Sequence, residues 1–156
     1  MLSVDIVKLS REDMPYAVEL RRHFHRHPEP TSREFNTIRY IQNELDKMKI
    51  HYTNIPDGGV LAEIHGQVAA GSEEPHVLLR ADCDALTMME APENGGQKRT
   101  CISENQGVAH MCGHDSHMAM LLAAAKILSG LKPEQIKGTI YLLFERGEEG
   151  GNCIYY

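Results

Sequence analysis

The chain has 156 residues, of which 42% are hydrophobic and 24% charged, a balance that places it among globular domains long enough for one real core. A net charge of −6 without a long basic run argues against nucleic acid as a partner, because phosphate binding needs clustered Lys and Arg. The longest apolar run, MAMLLAAA, is too short to span a bilayer, and the start, MLSVDIVKLSRED, lacks the pattern of a signal peptide.

Along the chain, Ser10 is placed to cap a helix start with Asp13 in its first turn, and a helix is expected over 11–27, ended by His27-Pro28 and Pro30. Thr31 and Glu34 have capping-box spacing. Phe35, Ile38, Ile41, Leu45 and Met48 recur at steps of three and four, which predicts an amphipathic helix over 32–49. Residues 50–55 read as extended, and the turn residues Pro56 to Gly59 lead into a strand over 60–65. After a polar loop over 66–75, HVLLR (76–80) reads as a buried strand ending at Asp82-Cys83-Asp84. Residues 90–109, rich in Gly, Asn, Gln and Lys, read as a long loop of the kind that is often functional. The segment 116–129 is apolar nearly all round and predicts a buried helix, closed by Gly130 and Pro133. GTIYLLFE (138–145) fits a strand buried on both faces of a parallel sheet. Helices alternating with strands make the class α/β.

Three polar clusters lie where strands or strand–helix junctions end: Asp82/Asp84, Cys112/His114/Asp115/His117 and Glu148/Glu149. Ligands of open α/β sheets bind beyond the carboxyl ends of the strands, so convergence on one site is expected. Cys112 and His114, two residues apart, pair a thiolate with an imidazole, a donor set for Zn²⁺; imidazole also serves Mn²⁺, Co²⁺ or Ni²⁺. A helix starting near Ser116 would favour the thiolate of Cys112 through its positive end. Asp115 reads as a supporting or capping group, and His117 as a supporting donor or a surface residue. On spacing alone, a solvated loop with a buried cysteine explains the same residues. Of the adjacent Glu148 and Glu149, one can bind metal while the other takes a proton from the attacking water; a solvated acidic turn is the plainer alternative. Asp82 and Asp84 read as turn residues alone, or as ligand-orienting carboxylates in company. Arg22 or His25, from RRHFHRH (21–27), could pack under the site. A thiol enzyme built on Cys112 is a separate possibility that gives the acidic clusters no role. The four cysteines (Cys83, Cys101, Cys112, Cys153) form no CxxC pair, so a reducing, cytoplasmic compartment is expected.

Four blocks in this order, LRRHFHRHPEPTSREFNT (20–37), LLRADCDAL (78–86), GVAHMCGHDSHMAMLLAAAKIL (107–128) and GTIYLLFERGEEGG (138–151), make the chain resemble the M20 family of metal-dependent peptidases and amidohydrolases, in the branch of aminoacylase-like, hippurate-hydrolase-like and auxin-conjugate hydrolases. The resemblance implies a partial α/β/α sandwich of the zinc-exopeptidase kind, with residues 1–156 as the N-terminal portion of one catalytic domain and the C-terminal half and lid or dimerisation domain absent. It implies a site for two divalent ions (Zn, Mn, Co or Ni), with Cys112, His114 and Glu149 as ligands, Glu148 as general base and Asp84 orienting the site. The implied reaction is hydrolysis of the amide bond of an N-acyl amino acid or a similar small conjugate, with no membrane or nucleic-acid partner. The alternative is a truncated, non-catalytic metal-binding or interaction module that associates with itself or a full-length relative. Four positions depart from the family pattern: Thr87 stands in place of Pro, Arg146-Gly147 in place of Pro-Ala, and Ser116 in place of Gly. Arg146 is expected beside the base, able to pair with it or alter its pKa.

Overall fold

The computed structural model describes residues 5–68 and 73–151; Cys153 lies outside them. The first helix, α1 (Ile6–Glu12), begins earlier than expected. Asp5 caps it by accepting from the Lys8 N–H, and Ser10 sits inside it with its hydroxyl on the Ile6 carbonyl instead of capping a later helix. A break at Asp13 starts α2 (Met14–Arg26), which buries Leu20, Phe24 and His25. The helix α3 (Phe35–Met48) confirms the three-four periodicity and buries Ile41 and Leu45. Its entry has no capping box: the Thr31 hydroxyl donates to Asp84 and the Glu34 carboxylate accepts from the Ser32 and Gly147 N–H groups. Tertiary partners took both side chains that the local motif would have used.

The strands β1 (His51–Ile55), β2 (Gly59–His65), β3 (His76–Asp82) and β6 (Thr139–Glu145) form one sheet in the order β1-β2-β6-β3. β6 runs antiparallel to β2 and parallel to β3, so the sheet is mixed where a parallel one was expected. Val60, Ala62 and Ile64 of β2 and Leu142 and Phe144 of β6 form the core with Leu20, Phe24, Ile41 and Leu45. Met118 and Leu122 of α4 (His114–Ser129) complete it. The apolar stretch of β3 is not buried as its composition suggests. Val77, Leu78 and Leu79 are 53%, 58% and 37% exposed because β3 is the edge strand. The long loop contains a short hairpin, β4 (Glu93–Asn94) with β5 (Gln97–Lys98), turning at Gly95-Gly96. No helix among the described residues is long and apolar enough to cross a membrane.

Candidate metal centre

The ends of β3, β6 and the head of α4 meet, and the three polar clusters meet with them. Two glycines shape the turns that carry the candidate ligands. Gly113 (φ 102°) precedes α4 between Cys112 and His114, and Gly147 (φ 77°) precedes the single turn that carries Glu148 and Glu149. α4 starts at His114, two residues before the expected start, so His114 and Asp115 sit in its first turn.

One donor atom from each of Cys112, His114 and Glu149 lies within 4.8 Å of the others, and the same holds for Asp84, His114 and Glu148 and for Asp82, His114 and His117. His114 is the common member and is 2% exposed. Its Nδ1–H donates to the Asp84 carbonyl oxygen at 2.9 Å, which leaves Nε2 as the free lone pair. Asp82 Oδ1, Glu148 Oε2 and Glu149 Oε1 stand 3.6, 3.7 and 3.7 Å from that nitrogen. Asp84 links the clusters: its Oδ2 accepts from the Thr31 hydroxyl at 2.7 Å and from the Glu149 N–H at 2.9 Å, while Oδ1 lies 3.2 Å from His114 Nδ1. Burial alone would push the Asp84 carboxyl up, but His114, Thr31 and the Glu149 N–H together hold it below the usual range.

These residues fit a divalent ion. Asp84 Oδ1 and Glu149 Oε1 are buried without a hydrogen-bond partner, and a lone pair ringed by three carboxylate oxygens is electrostatically unfavourable until a cation joins them. Thiol, imidazole and carboxylate together form a donor set for zinc and its neighbours.

Two expectations change. The Glu149 carboxylate, with burial and the Glu148 charge adding to it, pushes the Cys112 thiol up, opposite to the direction expected from the head of α4. That position disfavours a free thiolate nucleophile. Arg146 also turns away from Glu148: its Nε donates to Glu34 Oε2 at 3.0 Å, its Nη2 to the Ser32 carbonyl at 2.9 Å, and its guanidinium lies over the Phe35 ring. Asp115 is buried and faces Arg21 and His25 instead of the ligand cluster, so it supports the loop from behind, as does His25. Arg22 pairs with Glu19. Sequence reasoning missed His110, which is 5% exposed with neither ring nitrogen partnered, and Glu34, fully buried under the Gly147 turn. For Glu34, the sequence offers the capping-box spacing with Thr31 and a place in the first family-like block, and neither points to the Gly147 turn. The tight His117–Asp82 contact, 2.6 Å from Nδ1 to Oδ1, joins two residues left open by the sequence.

Residues 78–155 match the profile of Peptidase family M20/M25/M40. The chain belongs to this family. An IAA-amino acid hydrolase of Arabidopsis thaliana is 41% identical over 90% of the chain and 30% of its own length. An N-acyl-L-amino acid amidohydrolase of Geobacillus stearothermophilus is 36% identical over 96% and 38%. Among solved structures, the YXEP protein of Bacillus subtilis, a dinuclear metal binding peptidase of the M20 family, superposes with a TM-score of 0.72 at 30% identity, covering 94% of this chain and 37% of that one. The chain thus spans about a third of the length of the curated relatives it matches.

Proposed function

We propose that residues 1–156 are the N-terminal portion of one M20-type catalytic domain that hydrolyses the amide bond of N-acyl amino acids or similar small conjugates. The observation that carries this reading is the meeting of the Cys112, His114 and Glu149 donor atoms within 4.8 Å, beside Glu148. The activities named for the Arabidopsis and Geobacillus relatives supply the substrate class. Cys112, His114 and Glu149 would hold a divalent ion (Zn, Mn, Co or Ni), with two ions in a complete site as in the Bacillus protein. When bound, such ions polarise the substrate carbonyl and lower the pKa of the attacking water. Glu148, 35% exposed at its side chain, is placed to take the proton from that water and return it to the leaving amine. Asp84 holds His114 and the Glu149 backbone in register for this work. The free thiols of Cys83, Cys101 and Cys112 support a reducing, cytoplasmic setting. The open β3 edge supports association with a second copy or a full-length relative.

The test is metal analysis of the purified chain together with hydrolysis of a panel of N-acyl amino acids. The expected outcome is at least one tightly held ion per chain and turnover that disappears in Glu148→Gln while the metal stays. No turnover with less than one ion per chain would leave the non-catalytic module as the reading. Turnover that survives exhaustive chelation would point to thiol chemistry instead.

A further inference from the structure

Adjoining the ligand cluster is a buried polar assembly that the proposed chemistry does not use. His25 of α2 is 3% exposed and meets a carboxylate at each ring nitrogen. Nδ1 lies 2.8 Å from Asp115 Oδ2, and Nε2 lies 2.9 Å from Glu90 Oε1. The far side of each carboxylate binds backbone. Asp115 Oδ1 accepts from the Ser116 N–H at 2.8 Å, and Glu90 Oε2 accepts from the Ser103 N–H at 2.7 Å. Each carboxylate also has an arginine: Arg21 Nε at 2.9 Å from Asp115 and Arg99 Nη1 at 3.3 Å from Glu90.

The donor inventory decides the state of the ring. An ionised carboxylate only accepts, and a neutral imidazole donates from one nitrogen alone. Neutral His25 would therefore press a lone pair against a carboxylate oxygen in a buried site, a repulsive arrangement with no solvent to relieve it. The imidazolium donates twice and satisfies both. The groups facing His25 are Asp115, Glu90, Arg21 and Arg99, with His110 close enough to be felt. The Asp115 hydrogen bond raises the pKa of His25, burial lowers it and Glu90 raises it again, for a net rise.

We propose that His25 is a positioning residue: a doubly protonated clamp whose two N–H groups tie the 90–103 loop, through Glu90, to the head of α4, through Asp115. Asp115 directly follows His114, so the clamp fixes the backbone turn from which the ligand-bearing residues project. Removing it takes one partner from each carboxylate and uncouples the Glu90–Ser103 contact from the head of α4, where the Ser116 N–H keeps the Gly113 carbonyl at 2.9 Å.

Both readouts use metal-free, ¹⁵N-labelled full chain, so the result is independent of whether the centre binds an ion. The first is the long-range ¹H–¹⁵N spectrum of the histidine side chains across pH 6 to 8.5, with His25 assigned by its loss in His25→Gln. The expected result is both ring nitrogens protonated at pH 7, with the neutral form appearing at lower pH in Glu90→Gln than in the wild type. A wild-type His25 with one bare ring nitrogen at pH 7, or a pattern untouched by Glu90→Gln, would overturn the proposal. The second readout is amide hydrogen exchange at Ser103, whose N–H is held by Glu90. Exchange there is expected to accelerate at least tenfold in His25→Gln and in Glu90→Gln, which carries the measurement if the first variant does not fold. Unchanged exchange in a folded variant would overturn the positioning role.

Discussion

With Nδ1 of His114 committed to the Asp84 carbonyl, only Nε2 faces the carboxylates of Asp82, Glu148 and Glu149. Asp84 therefore acts at two points at once, setting the imidazole tautomer and holding the Glu149 N–H. Asp84→Asn keeps the shape and lets the amide oxygen accept from Thr31 and Glu149, but it removes the negative charge and sets an NH2 donor against the His114 Nδ1–H, 3.2 Å from the present Oδ1. The expected effect is a zinc affinity weakened about 10–100-fold, read by competition with a chromophoric chelator; unchanged affinity would remove Asp84 from the orienting role. His110 supplies a pH prediction. Burial first, only partly offset by the Asp115 carboxylate, lowers its pKa to about 4. The unfolded chain takes up this proton near pH 6.5 and the folded chain only near 4, so stability from this group is full above pH 6.5 and is lost as pH falls toward 4. The loss is of order 3 kcal/mol, and His110→Phe should flatten it in urea titrations at pH 7 and 4.5. That Cys112, His114, Glu148 and Glu149 lie together is legible in the sequence because a metal-and-base site calls for particular residue types at short spacing. His110 and Glu34 are not, because burial and the partner that meets a side chain are properties of the fold.

At the scale of elements, local periodicity is the reliable signal. It places α3 and the apolar body of α4 because both depend on one repeating face. It fails where tertiary partners compete with local ones. Thr31 and Glu34 have the spacing of a cap, yet Glu34 serves the turn after β6, 112 residues away, through Arg146 Nε at 3.0 Å and the Gly147 N–H at 2.9 Å. Arg146 therefore acts as an anchor for the turn that carries Glu148 and Glu149 rather than as a modulator of Glu148. Glu34 is fully buried and Arg146 nearly so, and breaking a buried pair by removing one partner costs about 3–5 kcal/mol. Glu34→Ala and Arg146→Ala are each expected to destabilise in that range in denaturant titrations. The double variant should cost clearly less than the two losses combined, because the second removal relieves the charge orphaned by the first. Additive losses would mean that the two side chains do not act as a unit.

At the scale of the whole molecule, composition misleads about β3. HVLLR has the look of a central strand, and Val77 and Leu79 sit in register with Ile140 and Leu142 of β6, yet one long edge of β3 has no neighbouring strand among the described residues. Exposed main-chain donors and acceptors beside exposed Val77, Leu78 and Leu79 make a template for another strand. Natural edges are blunted by charge, and the exposed apolar part of this one has none until Arg80, which is engaged with Asp82 and Glu145. The chain on its own is therefore expected to self-associate as its concentration rises. Leu78→Lys puts a charge on the exposed strand, on the side of the sheet away from the register of Ala81 and Leu79, and leaves the ligand cluster untouched. Sedimentation velocity from micromolar to near-millimolar protein should show the wild type shifting to larger species and Leu78→Lys staying monomeric over most of that range. Coincident, concentration-independent profiles for the two proteins would show that the β3 edge does not drive association.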